Sequence, residues 1–374
     1  MFSSGLRNLL KTCIHTLWKL VQLLLFVIIV PPLINYASLK REAPLLGQHG
    51  LPYDIGFGQK LFLRCRGKGA PTVIFDAPTG MTSDIWFPLQ ENLQKTTTVC
   101  IYDRAGLGMS DPPLDSTIQQ KSDVKENEST KYRGMDFTVE KMSEDLNRLM
   151  TATSQQPKPF ILVGADLGAI VARFYTQMYE FDVSHLFLID PLVENLFDNE
   201  HWKDHWYNKI IPRLHAMQLS AAMGVNRILV LTRMINTQLS TTAFNNIDDT
   251  NININHRQKH LLCNAAHISS AIREHFYMNE TFSQMKLAWR MKAFSSNTSV
   301  IIVNRRQYDK DLSKTLNQAW DESQEFLRTQ LFRNRIQHRL IDSTDKYFFF
   351  NKPDLLESII KDSINQWREQ KGLA

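Results

Sequence analysis

The residue with the clearest claim to chemistry is Asp166. It stands at the centre of Gly164-Ala165-Asp166-Leu167-Gly168, between the apolar run 160–165 and the helix-patterned "AIVARFYTQMYE". This is the shape of G-x-S-x-G, a strand-turn-helix elbow that lifts a nucleophile above a sheet, with aspartate where serine is usual. A carboxylate is ionised at neutral pH, so it can attack an electrophile without help from a base. Completing a hydrolysis still needs a group that activates water. Of the eleven histidines, only His338 lies in the C-terminal part of the chain.

The elements that would carry Asp166 can be read from hydrophobic periodicity. "PTVIFDAPTG", "TTVCIYDRAGLGMSD", "PFILVGADLG" and "VSHLFLIDP" are short apolar runs that stop at Gly, Asp or Pro, as buried parallel strands do. "IWFPLQENL" and 136–154 have helical spacing, the latter with Val139, Met142, Leu146 and Leu149 on one face. Residues 112–134 are polar and aperiodic and read as an exposed loop. From about 192 to 294 the pattern is helical and rich in Trp, His, Met and Asn, broken by "NNIDDTNININ". "TSVIIVNRR" and "RIQHRLIDS" then resume strands, with helices at 314–330 and 353–370. Strands alternating with helices predict an α/β fold with a mostly parallel sheet.

These segments resemble the α/β-hydrolase superfamily, in its membrane-associated esterase/aminopeptidase-like branches, over about residues 50–370. "VCIYDRAGLGMSDPP" is similar to that family's YDRxGxGxSD signature, "GADLG" falls at its elbow, "LFLIDP" at the next strand and "DSTDKYFFFNKPDLLESI" at the last strand and helix. The resemblance implies an N-terminal anchor (1–41), a hydrolase core in two parts (42–195 and 296–374) and a helical lid insertion (196–295). It also implies a nucleophile, an acid, a histidine and an oxyanion hole, and the departures from that set are extensive. Epoxide hydrolases and haloalkane dehalogenases in the superfamily do use aspartate at the elbow. At the histidine position, counted back from Pro353, this chain has Lys346. The acid region reads Asn304, Arg305, Arg306, leaving Asp309, Asp311 and the earlier Asp190 as weak candidates. The oxyanion loop reads Asp76-Ala77-Pro78-Thr79-Gly80; Pro78 has no N–H, which leaves Thr79 and Leu167 as backbone donors.

The expectation is therefore a catalytically degenerate member that acts by binding a ligand or partner, with Asp166 and Lys346 forming an ion pair. Side chains that point apart, with a histidine beside Asp166, would count against that account. The alternative is an Asp166-nucleophile hydrolase of an epoxide or ester. It would draw its base from His338 or an insertion histidine and its epoxide-polarising phenols from Tyr207 and Tyr277. Trp202, Trp206 and Tyr207, with Trp289, are expected to cap an apolar pocket suited to a lipid-like ligand.

Residues 20–36, "LVQLLLFVIIVPPLINY", extended back to Cys13, are long enough to cross a bilayer. The positive excess of Arg7, Lys11 and Lys19 favours a cytosolic N-terminus and a translocated remainder in the secretory pathway; a cleaved signal peptide is the alternative. Asn127, Asn279 and Asn297 head acceptor sequons that fit this orientation. The chain has 374 residues, 43% of them hydrophobic, and a formal charge of +5 with no dense basic block, which gives no reason to expect a nucleic-acid partner. The four cysteines form no C-x-x-C pair, and no metal or other cofactor is expected. Cys13, Cys65, Cys100 and Cys263 read as small buried hydrophobes rather than a bridge, although one bridge among the last three stays open.

Overall fold

The computed structural model describes residues 2–46, 50–114, 135–153, 157–235, 254–294, 297–333 and 336–373. Eight strands form one sheet in the order β1-β2-β4-β3-β5-β6-β7-β8. The edge strands β1 (Leu51–Asp54) and β2 (Lys60–Arg66) run antiparallel. From β4 onward every neighbouring pair is parallel: β3 (Thr72–Asp76), β4 (Val99–Tyr102), β5 (Phe160–Ala165), β6 (Val183–Ile189), β7 (Ser299–Arg305) and β8 (Gln337–Ile341). β3, β4 and β5 are buried along their whole length, as strands covered by helices on both faces must be.

Helices close both faces. On one, α2 (Phe87–Leu93) and the C-terminal helices pack over Phe75, Trp86 and Phe349, whose rings contact one another. On the other, α3 (Val139–Thr153) packs on α4 (Leu167–Met178) and β1, α4 covers β5 and β6, and α3 buries the expected Val139, Met142, Leu146 and Leu149. Between β6 and β7 the chain leaves the sheet for a helical lid. It comprises α5 (Glu200–His205), α6 (Ile211–Ala222), α7 (Val225–Leu231), α8 (Ile254–Cys263), α9 (Ala265–Phe276) and α10 (Met278–Met291). The core is completed by α11 (Lys314–Phe326), α12 (Phe348–Asn351) and α13 (Asp354–Gln370).

The N-terminal α1 (Phe2–Leu46) contains a stretch, Lys11–Pro44, that is long and apolar enough to cross a membrane. Its prolines do not end it: Pro31, Pro32 and Pro44 all lie inside the helix. The half beyond Pro31 is docked on the lid. Asn35 Nδ2 donates to the carbonyls of Ala221 and Cys263, each at 3.0 Å. Glu42 accepts from Arg227 at 2.7 Å and meets His260 Nδ1 at 3.0 Å. Gly224, at φ +71°, permits the closest approach, since a Cβ there would lie 2.3 Å from the Pro31 carbonyl oxygen.

Two cysteines depart from expectation. Cys65 and Cys100 are direct register partners on β2 and β4 and form a disulfide, with Cα atoms 4.1 Å apart. Each cysteine alone looks like an ordinary half-buried strand residue; only the antiparallel pairing brings them opposite. Cys13 is exposed and Cys263 is buried, and both are free thiols.

His185, on β6, is 4% exposed, and its Nε2 has no partner. Burial pulls its pKa down to about 4. The unfolded chain therefore binds the extra proton between about pH 6.5 and 4 while the folded chain does not, so stability is whole above that window and is lost as pH falls through it. Unfolding midpoints of the full chain in detergent at pH 7 and pH 4.5 should differ more for wild type than for His185→Phe, which removes up to about 3 kcal/mol of this acid sensitivity.

Candidate functional site

Asp166 occupies a sharp elbow between β5 and α4. Its backbone takes φ 55°, ψ −116°, a strained conformation for a residue with a side chain, and its N–H donates to the Ile189 carbonyl at 3.1 Å. Gly168 is obligatory two residues on: a Cβ there would stand 2.6 Å from the carbonyl oxygens of Asp76 and Ala77. The sheet edge therefore presses against the start of α4 and pushes the Asp166 carboxylate out over the carboxyl ends of the strands.

The loop after β3 meets that carboxylate. Thr79 Oγ1 donates to Asp166 Oδ2 at 2.8 Å and the Thr79 N–H reaches the same oxygen at 3.3 Å. Asp166 Oδ1 is buried and has no hydrogen-bond partner. One carboxylate oxygen is thus held where an oxyanion hole would hold a carbonyl oxygen, and the other is left free. Of the two expected donors, Thr79 is aimed at this point, while Leu167 is the buried first residue of α4 and no bond from it to Asp166 is found among the described residues.

A buried ionic cluster fixes the loop. Arg104, from the "YDRAGLG" segment, pairs with Asp76 at 2.5 Å and with Glu274 of α9 at 2.7 Å. It also donates to the carbonyls of Ala77 at 2.6 Å and Pro78 at 2.9 Å, while Tyr102 donates to Asp76 at 2.6 Å. Glu274 in turn accepts the Gly80 N–H at 2.6 Å. All three charged groups are buried. Such a cluster is costly to bury and more costly to break, because removing one partner strands a charge in the interior.

The cleft above Asp166 encloses a cavity of about 530 Å³, of the size that takes a small organic ligand. Trp202 and Trp206 line it, with indole N–H groups bound to the carbonyls of Leu316 and His275. Tyr207 does not; its hydroxyl turns outward to the Phe276 carbonyl at 3.1 Å. Tyr277 packs in the lid core instead, and Trp289 stacks with Phe294 and Phe332 away from the cleft. The phenol that does line the cleft is Tyr308. It stacks on Trp320 at 3.9 Å, and burial followed by the charge of Asp166 raises its pKa well above the ordinary value, so it stays protonated.

Lys346 lines the same cleft but stands at its solvent-exposed rim, its Nζ 5.8 Å from the Tyr347 ring centroid. Among the described residues no ion pair joins it to Asp166, which corrects the expected Asp166–Lys346 pair. Solvation of the ammonium competes with a carboxylate already bound by Thr79, and solvation wins. Asp190 is spent elsewhere, paired with Arg305 at 2.6 Å. Asp309 and Asp311 reach the cleft wall, but Asp309 Oδ1 accepts the Asp311 N–H and no histidine is bonded to either carboxylate among the described residues. His338 lies outside the cleft, between Asn304 Oδ1 and the Arg328 guanidinium, each at 3.0 Å.

The lid supplies the histidine that the C-terminal region lacks. His275 of α9 lines the cleft, and its Cε1 would be 3.3 Å from a Cβ on Gly80, the neighbour of Thr79. Its Nδ1 lies 2.7 Å from the Ala271 carbonyl, so Nδ1 carries the proton and Nε2 is the basic nitrogen. Burial lowers its pKa first and foremost; the Ala271 hydrogen bond and the charges of Asp166 and Glu274 partly oppose this. His267 also lines the cleft, but its Nδ1 accepts the Gly108 N–H at 3.2 Å, which turns its basic nitrogen toward the core loop. His275 offers no sequence signal beyond membership in the insertion.

Of the sequons, Asn279 is exposed in the first turn of α10, while the Thr281 hydroxyl is occupied by the Val139 N–H; Asn297 is exposed, and Asn127 lies outside the described residues. No group of metal-binding side chains is found among the described residues.

With this geometry in hand, comparison with known proteins gives a consistent fold. Residues 69–225 match the family model described as alpha/beta hydrolase fold. A curated relative, the uncharacterized protein YqjL of Bacillus subtilis (strain 168), is 23% identical over 156 residues. That match covers 40% of this chain and 53% of the relative, so the chain spans about half the length of the relative it matches. The Cif epoxide hydrolase from Acinetobacter nosocomialis superposes with a TM-score of 0.60 at 14% identity, covering 88% of this chain and 96% of that one. The epoxide hydrolase CorEH gives 0.54 at 17% identity, covering 82% and 95%. The chain is an α/β-hydrolase-fold protein.

Glu274→Gln removes one carboxylate from buried Arg104 and weakens the bridge from lid to loop. Thermal unfolding should register a loss of about 3 kcal/mol, whereas the exposed Lys346→Ala should leave the midpoint close to wild type.

Proposed function

We propose that this chain is a membrane-anchored hydrolase in which Asp166 is the nucleophile, acting on an apolar epoxide or ester. The observation that carries this reading is the division of labour within one carboxylate. Oδ2 is bound by the Thr79 N–H and hydroxyl while Oδ1 is free beneath a cavity lined by Trp202, Trp206 and Leu214. Oδ1 attacks the electrophilic carbon, the carbon–oxygen bond of the epoxide breaks, and the released oxygen takes the Tyr308 proton. The product is an ester whose carbonyl oxygen, the former Oδ2, already lies against Thr79. His275 Nε2 then takes a proton from water as it adds to that carbonyl. Thr79 stabilises the resulting oxyanion. Collapse of the intermediate expels the alkoxide, which receives the proton from His275, and the carboxylate returns. Tyr308 is recharged from solvent.

The solved epoxide hydrolases of the same fold support this substrate class, and the apolar part of the cleft wall, formed by Trp202, Trp206, Ile210, Leu214 and Met217, supports an apolar group on the ligand. Within the apolar stretch Lys11–Pro44, the part up to Pro31 is read as the membrane span, with the positive N-terminal flank cytosolic and the folded domain translocated. The Cys65–Cys100 bridge is of the kind that persists in the oxidising secretory compartments and supports that orientation.

A second reading, ligand binding without turnover, is favoured by the pairing of Asp190 with Arg305 and by the backbone anchor on His275 where active relatives would use a carboxylate. The two are separated with full-length protein in detergent and a panel of apolar epoxides and aryl esters. The hydrolase reading expects turnover that Asp166→Ala abolishes and that His275→Gln lowers by about 10²–10⁴-fold, with the ester then trapped on Asp166. Single turnover in ¹⁸O-water should place the label in the Asp166 carboxylate. Neither turnover nor adduct, with retained ligand binding, would leave the binding-only reading.

The pH profile carries a sign. His275 acts in its neutral form, and burial lowers its pKa. The acid limb of kcat should therefore fall below the ordinary histidine value of about 6.5.

A further inference from the structure

The outer surface of the lid carries an apolar face that is exposed among the described residues. Leu219 and Met223 at the end of α6, Val225, Ile228 and Leu231 on α7, and Met234 just beyond are all exposed, Leu231 at 71% and Met234 at 75%. Their position is the informative point. The α6–α7 turn is the place where Gly224 touches Pro31 of α1, and on the N-terminal side of Pro31 the exposed side chains of α1 are apolar almost without break from Leu20 to Ile29. Asn35, Glu42, Arg227 and His260 lock this arrangement, so α7 cannot swing away from the anchor without breaking buried polar contacts. About 20 residues of helix cross the hydrocarbon core of a bilayer, and the span of α1 up to Pro31 supplies that length. The membrane surface then falls at the level of α7.

Charge agrees with position. Between Asp204 and Asp248 the chain has no carboxylate but carries Lys209, Arg213, Arg227 and Arg233. Arg227 is consumed by Glu42, and Arg233 is exposed beside the apolar face. An exposed apolar face with an arginine at its edge, on a segment without carboxylates between Asp204 and Asp248, suits a phospholipid interface.

We infer that the α6–α7 face is embedded in the headgroup and upper acyl region of the bilayer that holds α1, so that the protein has two membrane contacts rather than one. The inference rests on the membrane-span reading above and is independent of the chemistry at Asp166.

Photo-crosslinking in phospholipid vesicles tests it with the full chain. The probe, p-benzoylphenylalanine, replaces one exposed residue at a time: Leu25 in α1, Leu231 in α7, or Phe181, which precedes β6 at the end of the sheet opposite the lid and is 83% exposed. The expected result is lipid adducts from positions 25 and 231 and none from 181. Lipid adducts at 25 with none at 231 would overturn the second contact while leaving the span. A 231 adduct to another copy of the chain would overturn it too and identify the face as a self-association surface. Absence of adducts at both 25 and 231 would overturn the span and the lid contact together. Leu231→Asp on the exposed face should leave folding intact and lower the share of protein that resists alkaline extraction only when α1 is also weakened.

Discussion

The buried guanidinium of Arg104 is the constraint on which the rest of the site depends. One side chain from the loop after β4 joins the end of β3, the loop that holds Asp166, and lid helix α9. Without it, Ala77 would present an unpaired carbonyl to the interior, and Glu274 would be a buried charge with no cation beside it. With it, the position of Thr79 against Asp166 and the position of His275 over Gly80 are set by the same cluster. The lid is therefore part of the site's frame, and its alignment with the core is fixed by charge and not only by apolar packing.

The strain at Asp166 belongs to the same logic. A positive φ on a residue with a side chain persists only where the surroundings over-determine it. Here β6 holds the backbone N–H, Gly168 admits the neighbouring strand end, and Thr79 holds the carboxylate. The turn therefore keeps one carboxylate oxygen bound and leaves the other without a partner.

The strands, the elbow and the helical interruption were legible in the sequence because each depends on local periodicity and on glycines at fixed offsets. Asp166, Thr79, Trp202 and Trp206 could be placed for that reason. His275 and Tyr308 could not. The first is one of several histidines in a helical insertion, and only the Arg104–Glu274 pairing selects the helix face that turns it inward. The second sits in "NRRQYDKD", where nothing in the local pattern sets a lone phenol apart from its charged neighbours. Counting back from Pro353 puts Lys346 at the histidine position facing Asp166, but spacing carries no information about exposure, and the ammonium lies at the rim of the cleft in water. The Cys65–Cys100 bridge was equally hidden, since it follows from strand register.

The docking of α1 has a mechanical consequence. A spanning helix joined to a domain by a flexible linker lets that domain tumble above the bilayer and meet its ligands from any direction. Here the helix runs without a break into its own docking site, through Asn35 and Glu42. On the proposed span, α1 is a rigid mast and not a leash. Whatever enters the cleft over Asp166 would then meet it at one heading relative to the bilayer, and a chain stripped of α1 would lose the contacts that brace its lid as well as its address.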